Sequence, residues 1–309
     1  MKTGISYFSS RWVWLVLLVC LLPVGSIIAS GEGPRVHAPM PVGFSALVLN
    51  GISVQDANRT FDPSLVRPFS RFDTNIINLL YVRTLAVKNR HVMLLGQLRG
   101  GRAERRTFFL AGRELISSSG FADPFIGVSV NLVGLPPLDR NAFKDFKPGL
   151  KVNFLLGANL PLGEYDSGNV INLGSNRWTI RFSVPITRPI TGIGGLPGTL
   201  EFIPNLFLFT ENKDRNLKQD PLFTLEGHAT QNFSRRTWGS LGFLYNRGGK
   251  TTINGLPANG SQESLALTAT LGMNFSPRWG LQLRFGKSVA QNEFGLVGKV
   301  YQFKLTRSF

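Results

Sequence analysis

Few residues in this sequence are spaced for bond-breaking chemistry. Glu226 and His228 lie two apart, which on a strand puts both side chains on one face, where a carboxylate can orient an imidazole. No motif places a serine with that histidine, so catalytic residues and enzymatic activity are not expected. The three histidines, His37, His91 and His228, are scattered, and no metal-ligand spacing emerges. The glycine-rich run 192–198 contains Pro197 and precedes no helix that offers its N-terminus to a phosphate. It reads as a β-turn, and no cofactor is expected. What remains is fixed charge: Lys151, Arg177, Arg181, Arg284 and Lys304 each fall on the polar face of an alternating segment, with Glu226 and His228 on another such face. If those faces share one water-filled interior, its excess of cations favours anionic solutes.

The elements that must position these side chains are strands. From Glu263 to Phe275, Leu265, Leu267, Ala269, Leu271, Met273 and Phe275 alternate with Ser264, Ala266, Thr268, Thr270, Gly272 and Asn274. Successive strand side chains point to opposite faces, so one face is apolar and the other small and polar. Residues 151–162, 177–186 and 279–286 repeat the pattern. No amphipathic helix is evident, and glycine, serine, threonine, asparagine and arginine on the polar faces suit a wet lumen. The pattern yields about twelve strands, centred on 42–51, 74–87, 91–100, 122–133, 149–162, 176–188, 199–211, 221–233, 237–247, 262–275, 278–287 and 297–309. Links after the second, eighth and tenth are short, whereas those after odd-numbered strands are generally longer and rich in Gly, Asn, Asp and Ser. Short periplasmic turns and long external loops describe an all-β, transmembrane antiparallel up-and-down β-barrel. Its closing strand carries Tyr301, Phe303, Leu305 and Phe309 on one face, as a membrane assembly signal does, with Arg307 intruding on that face two residues from the end.

Residues 1–31 combine Lys2 and Arg11, an apolar run from Trp12 to Val24, and the small residues Ala29, Ser30 and Gly31. Those are the parts of a secretory signal peptide, leaving residues 32–309 as a single barrel domain. The only cysteine, Cys20, lies in the apolar run, so the mature chain has no thiol chemistry. Mean hydropathy is +0.05, which suits lipid-facing and water-facing sides that cancel. Without Lys2 and Arg11 the chain keeps 32 basic against 18 acidic residues. The basic residues form no nucleic-acid motif, and nucleic acid is not an expected partner.

Three further motifs point to a family. Gly120-Phe121-Ala122-Asp123-Pro124 precedes a strand; Leu160-Pro161-Leu162-Gly163-Glu164-Tyr165 and Asn172-Leu173-Gly174-Ser175-Asn176-Arg177-Trp178 bracket a loop. Together these resemble the meta-pathway phenol-degradation family of outer-membrane proteins, with the specific likeness confined to about residues 118–190. The resemblance implies an exported barrel for uptake of aromatic or other hydrophobic compounds, with no assigned binding residues. On the residues alone, Pro161 ends a strand, Gly163 and Gly174 supply positive φ at loop corners, and Asp166, Asn169, Asn172 and Asn176 fold the loop locally.

The expected protein is thus a multi-pass β-barrel channel or transporter of a Gram-negative outer membrane, passively admitting small aromatic, hydrophobic or anionic compounds. Its partners would be the solute, outer-membrane lipid and lipopolysaccharide, and the barrel-assembly machinery. The competing expectation is a plugged structural barrel that binds lipopolysaccharide or a partner through basic external loops (Arg99, Arg102, Arg105, Arg106, Arg113).

Overall fold

The computed structural model describes residues 31–59, 71–109 and 112–309. The signal-peptide assignment therefore falls outside the described residues, except for Gly31. The strands are β1 (Ser45–Ala57), β2 (Arg71–Val87), β3 (Arg90–Phe109), β4 (Gly112–Val133), β5 (Lys151–Asn159), β6 (Thr179–Ser183), β7 (Ile186–Thr191), β8 (Pro197–Phe209), β9 (Leu217–Gln219), β10 (Leu222–Asn232), β11 (Thr237–Gly248), β12 (Thr251–Ile253), β13 (Leu256–Asn259), β14 (Gln262–Asn274), β15 (Trp279–Gln291) and β16 (Lys299–Ser308). β6 and β7 are one barrel strand interrupted at Val184-Pro185, where proline has no N–H for the ladder. Their pairings to β5 and β8 keep a continuous register across the break. So joined, they make a closed 12-stranded antiparallel barrel, sealed where β1 pairs with β16. Closure leaves no unpaired sheet edge, which hydrocarbon does not tolerate.

Alternation decides which side chains meet lipid. On β14, Leu267, Leu271 and Met273 are exposed on the outside, while Ser264, Thr268 and Thr270 are buried within. Tyr301 and Phe303 face outward, Leu305 is partly covered, and Phe309 is exposed beyond the strand end. The Arg307 guanidinium lies 5.3 Å from the Trp279 ring centre and 5.0 Å from that of Phe309. A cation over an aromatic face is attracted by the ring quadrupole, so the intruding charge is accommodated at the girdle.

The links after the second, eighth and tenth barrel strands are short, as at Lys88-Asn89, where both residues take positive φ (44° and 58°) and make the tight hairpin; the link after the fourth is long. The link after β4 holds a short 3-10 turn, Ala142–Lys144. At the opposite end, three features depart from the expected loops. β3 and β4 run on as a paired hairpin where a basic loop was expected. Outside the membrane both faces meet water, so the alternation that marks a membrane strand fades although the ladder continues. Arg99 belongs to β3 and turns inward, donating to the Asp123 carbonyl at 2.6 Å and to Asn159 Oδ1 at 2.6 Å. Arg102 lies on the hairpin and pairs with Glu104 at 2.6 Å. Arg105 is on the same strand, and the side chains of Arg106 and Arg113 lie outside the described residues. Four of the five therefore lie on a paired hairpin rather than in a loop, and Arg99 lies inside the barrel. Beyond the barrel, β9, β12 and β13 form a small separate sheet.

Candidate functional site: an occupied lumen

The lumen is filled by the chain itself. Residues 31–42, which have no periodic pattern, enter the barrel before β1. Gly33 (φ 87°) and Arg35 (φ 65°) bend the segment so that its backbone donors meet two buried wall carboxylates. Glu226 accepts the Glu32 N–H at 2.8 Å and the Gly33 N–H at 2.9 Å. Glu201 accepts the Arg35 N–H with both oxygens, at 2.9 and 3.2 Å. Wall cations hold the acceptors of the segment. Lys304 Nζ donates to the Glu32 carbonyl at 2.9 Å, Arg284 to the Gly31 carbonyl at 3.0 Å, and Lys151 to the His37 carbonyl. Arg181 pairs with the Glu32 carboxylate, which also bonds His37 Nε2 at 2.6 Å. The Arg35 guanidinium lies 4.3 Å from the Trp238 ring centre and donates to Asn232.

Each residue singled out in the sequence has a definite place here. Lys151, Glu226, His228, Arg284 and Lys304 are buried on the inner face, and all but His228 touch the segment directly. His228 Nε2 bonds Glu226 Oε1 at 2.8 Å, and Arg284 Nη2 reaches the same oxygen at 3.2 Å. The Glu226–His228 pair thus braces a strut, with the carboxylate committed to backbone donors. Arg177 is buried away from the segment, donating to Gln219 at 2.7 Å and lying 4.6 Å from the Phe209 ring centre. Glu201, Glu32 and Arg35 were missed. Glu201 sits in a strand with little alternation, and nothing local marks a loop that partners residues 166 to 194 positions away.

Burial alone would raise the Glu32 carboxyl, but Arg181 and His37 beside it outweigh that and hold it well below the usual carboxylate range. A depressed folded value means the pairing stabilises the inserted segment at all pH above the ordinary value of 4.5 and is lost as pH falls below it. Residues 31–42 should accordingly stay protected from an added protease from about pH 8 to pH 5 and be released only below about pH 4. Release already at pH 6 would contradict this.

Above the segment lie two adjoining cavities of about 350 and 240 Å³. Their outer end is covered by the link between β5 and β6. Ile171 of that link, 2% exposed, packs against the inward residues Val54, Ala57, Phe72, Ala103 and Val300. The link is pinned by Asp123, whose carboxylate accepts the Gly163 N–H at 2.9 Å, the Ser175 N–H at 2.9 Å and the Ser175 hydroxyl at 2.5 Å. Gly163 and Gly174 do not take positive φ as their position in the motif suggested. They are small because their backbones touch: a Cβ on Gly163 would come within 2.7 Å of Gly174 Cα. Asp166 and Asn172 fold the link tip through reciprocal side-chain-to-backbone bonds of 2.8–2.9 Å.

A closed 12-stranded barrel with an apolar outer belt, short turns at one end and a charged, occupied lumen defines a β-barrel of the outer-membrane type. The chain belongs to the family described as "Putative MetA-pathway of phenol degradation", which matches residues 55–303. The structure is similar to that of the COG4313 outer membrane channel from Pseudomonas putida F1, with a TM-score of 0.71 at 16% identity over 90% of this chain and 99% of that one. It also resembles the translocator domain of autotransporter NalP from Neisseria meningitidis, with a TM-score of 0.50 at 9% identity over 87% of this chain and 90% of that one. No curated protein matches the chain.

Proposed function

We propose that the protein is an outer-membrane channel of a Gram-negative cell for small anions with an apolar body, such as aromatic acids, and that its inserted segment keeps it closed at rest. The observation that carries this reading is the asymmetry of the 350 Å³ cavity above the segment. Val48, Ile52, Ile76, Leu80, Leu95 and Phe125 supply apolar surface from strands β1 to β4, interspersed with Asn50, Thr74, Asn78 and Gln97, while Arg99, Arg181 and Lys304, with Glu32 among them, edge the same space. An aromatic carboxylate has one surface for each side, burying its ring while its charge stays among cations.

Reversal potentials in planar bilayers and uptake into proteoliposomes test this. Benzoate should permeate several-fold faster than benzylammonium, and Arg99→Gln should reduce that ratio. Cation selectivity, or no passage of either solute once the segment has been released, would overturn the proposal. A permanently filled lumen would favour a structural barrel instead, and the same recordings distinguish the two.

A further inference from the structure

Charge at the short-turn end of the barrel forms a site of its own. The turn between β10 and β11 reads Phe233-Ser234-Arg235-Arg236, and that between β14 and β15 reads Phe275-Ser276-Pro277-Arg278. Both are stapled alike. Ser234 Oγ accepts the N–H groups of Arg236 (3.1 Å) and Thr237 (3.0 Å), and Ser276 Oγ those of Arg278 (3.2 Å) and Trp279 (3.1 Å). The two turns and the end of β16 are tied edge to edge: Asn274 N–H donates to the Arg236 carbonyl at 2.7 Å, and Ser308 N–H to the Arg278 carbonyl at 2.8 Å. Arg236, Arg278 and Arg307 are therefore exposed at neighbouring positions along one arc of the rim, with Arg236 and Arg278 also edging the mouth of the lumen and Arg307 on the lipid-facing side. Neither turn contains an acid. Beside each arginine is an exposed aromatic ring facing the lipid: Phe233, Phe275 and Phe309. Phe275 stacks on Trp279 at 6.4 Å between ring centres.

We propose that this arc binds the phosphate headgroup of an anionic phospholipid from the periplasmic leaflet. The two turns present guanidinium groups at headgroup level with Phe233 and Phe275 on their hydrocarbon side, and Arg307 lies against the Phe309 ring beside them, so the arc offers contacts to a phosphate and to acyl chains. A soluble acidic protein would use the guanidinium groups but leave the aromatic row without a partner.

The test is the lipid that the folded protein carries. Protein purified from outer membranes in mild detergent should hold phosphatidylglycerol and cardiolipin over phosphatidylethanolamine at about tenfold above their ratio in the bulk membrane. Arg236→Gln/Arg278→Gln/Arg307→Gln should bring the ratio down to the bulk value, whereas Arg102→Gln/Lys218→Gln at the opposite end should not change it. Should the triple variant fail to fold, as judged by loss of heat-modifiable migration, the single variant Arg278→Gln replaces it. Energy transfer from Trp279 to dansyl-phosphatidylglycerol, against dansyl-phosphatidylethanolamine, is then the readout, and inorganic phosphate should not abolish it. A bulk lipid ratio in the parent protein, equal loss on neutralising the opposite end, or displacement by millimolar phosphate would each overturn the proposal.

Discussion

Replacing both lumenal carboxylates that hold the inserted segment, in Glu201→Gln/Glu226→Gln, should release that segment and, on the proposed channel reading, leave the pore mostly open. The two carboxylates together accept three backbone N–H groups of residues 32–35, and both are buried. A buried hydrogen bond to a charged group contributes about 1.5–3 kcal/mol. Glutamine keeps the shape, but it removes the charge and turns an amide NH₂ toward donors that need an acceptor. It also strands Arg284, whose ion pair with Glu226 spans 3.2 Å, and breaking a buried pair from one side costs about 3–5 kcal/mol. A loss of about 4 kcal/mol multiplies the released fraction by roughly a thousand. Open probability and unitary conductance in planar bilayers read this directly. Variants with the parent's closed level would show that the segment does not control the pore. The wall itself should survive, because its ladder bonds do not pass through these side chains.

The second large effect is expected at the outer mouth. Asp123→Ala removes the acceptor for two backbone N–H groups and the Ser175 hydroxyl, so the β5–β6 link should detach and withdraw Ile171 from its apolar contacts. Losing bonds to a charged acceptor and leaving buried donors unmet costs about 3 kcal/mol or more, enough to raise cleavage of residues 160–176 by added protease about a hundredfold. Asp123→Asn keeps one acceptor oxygen and should be intermediate. Gly163→Ala should match Asp123→Ala by another route, because its methyl carbon would lie 2.6 Å from the Asp123 amide nitrogen. Equal protease resistance in all four proteins would show that Asp123 is not the pin. Barrel assembly, followed by heat-modifiable migration, should be retained in each.

Much of the barrel was legible in the sequence. The twelve segments found by alternation coincide with the twelve barrel strands, and on β14 even the split into lipid and lumen faces can be written down residue by residue. The Asp123–Gly163–Gly174 motif announced a structured loop, although the glycines serve close backbone approach rather than left-handed corners. The cations Lys151, Arg284 and Lys304 were visible as inward groups, but their work as clamps on the segment was not. Strand boundaries failed where β3 and β4 leave the membrane, because water on both faces removes the alternation there.

By itself, then, the sequence determined the strands, their faces and the end at which the turns are short. Each of those follows from a period of two residues enforced within a single stretch of chain. Only the tertiary structure decided what the lumen contains. Glu32 and Glu226 are 194 positions apart, and Arg284 and Gly31 are 253 apart. Closing the barrel brings them within hydrogen-bond distance, and no local periodicity records a contact made by that closure.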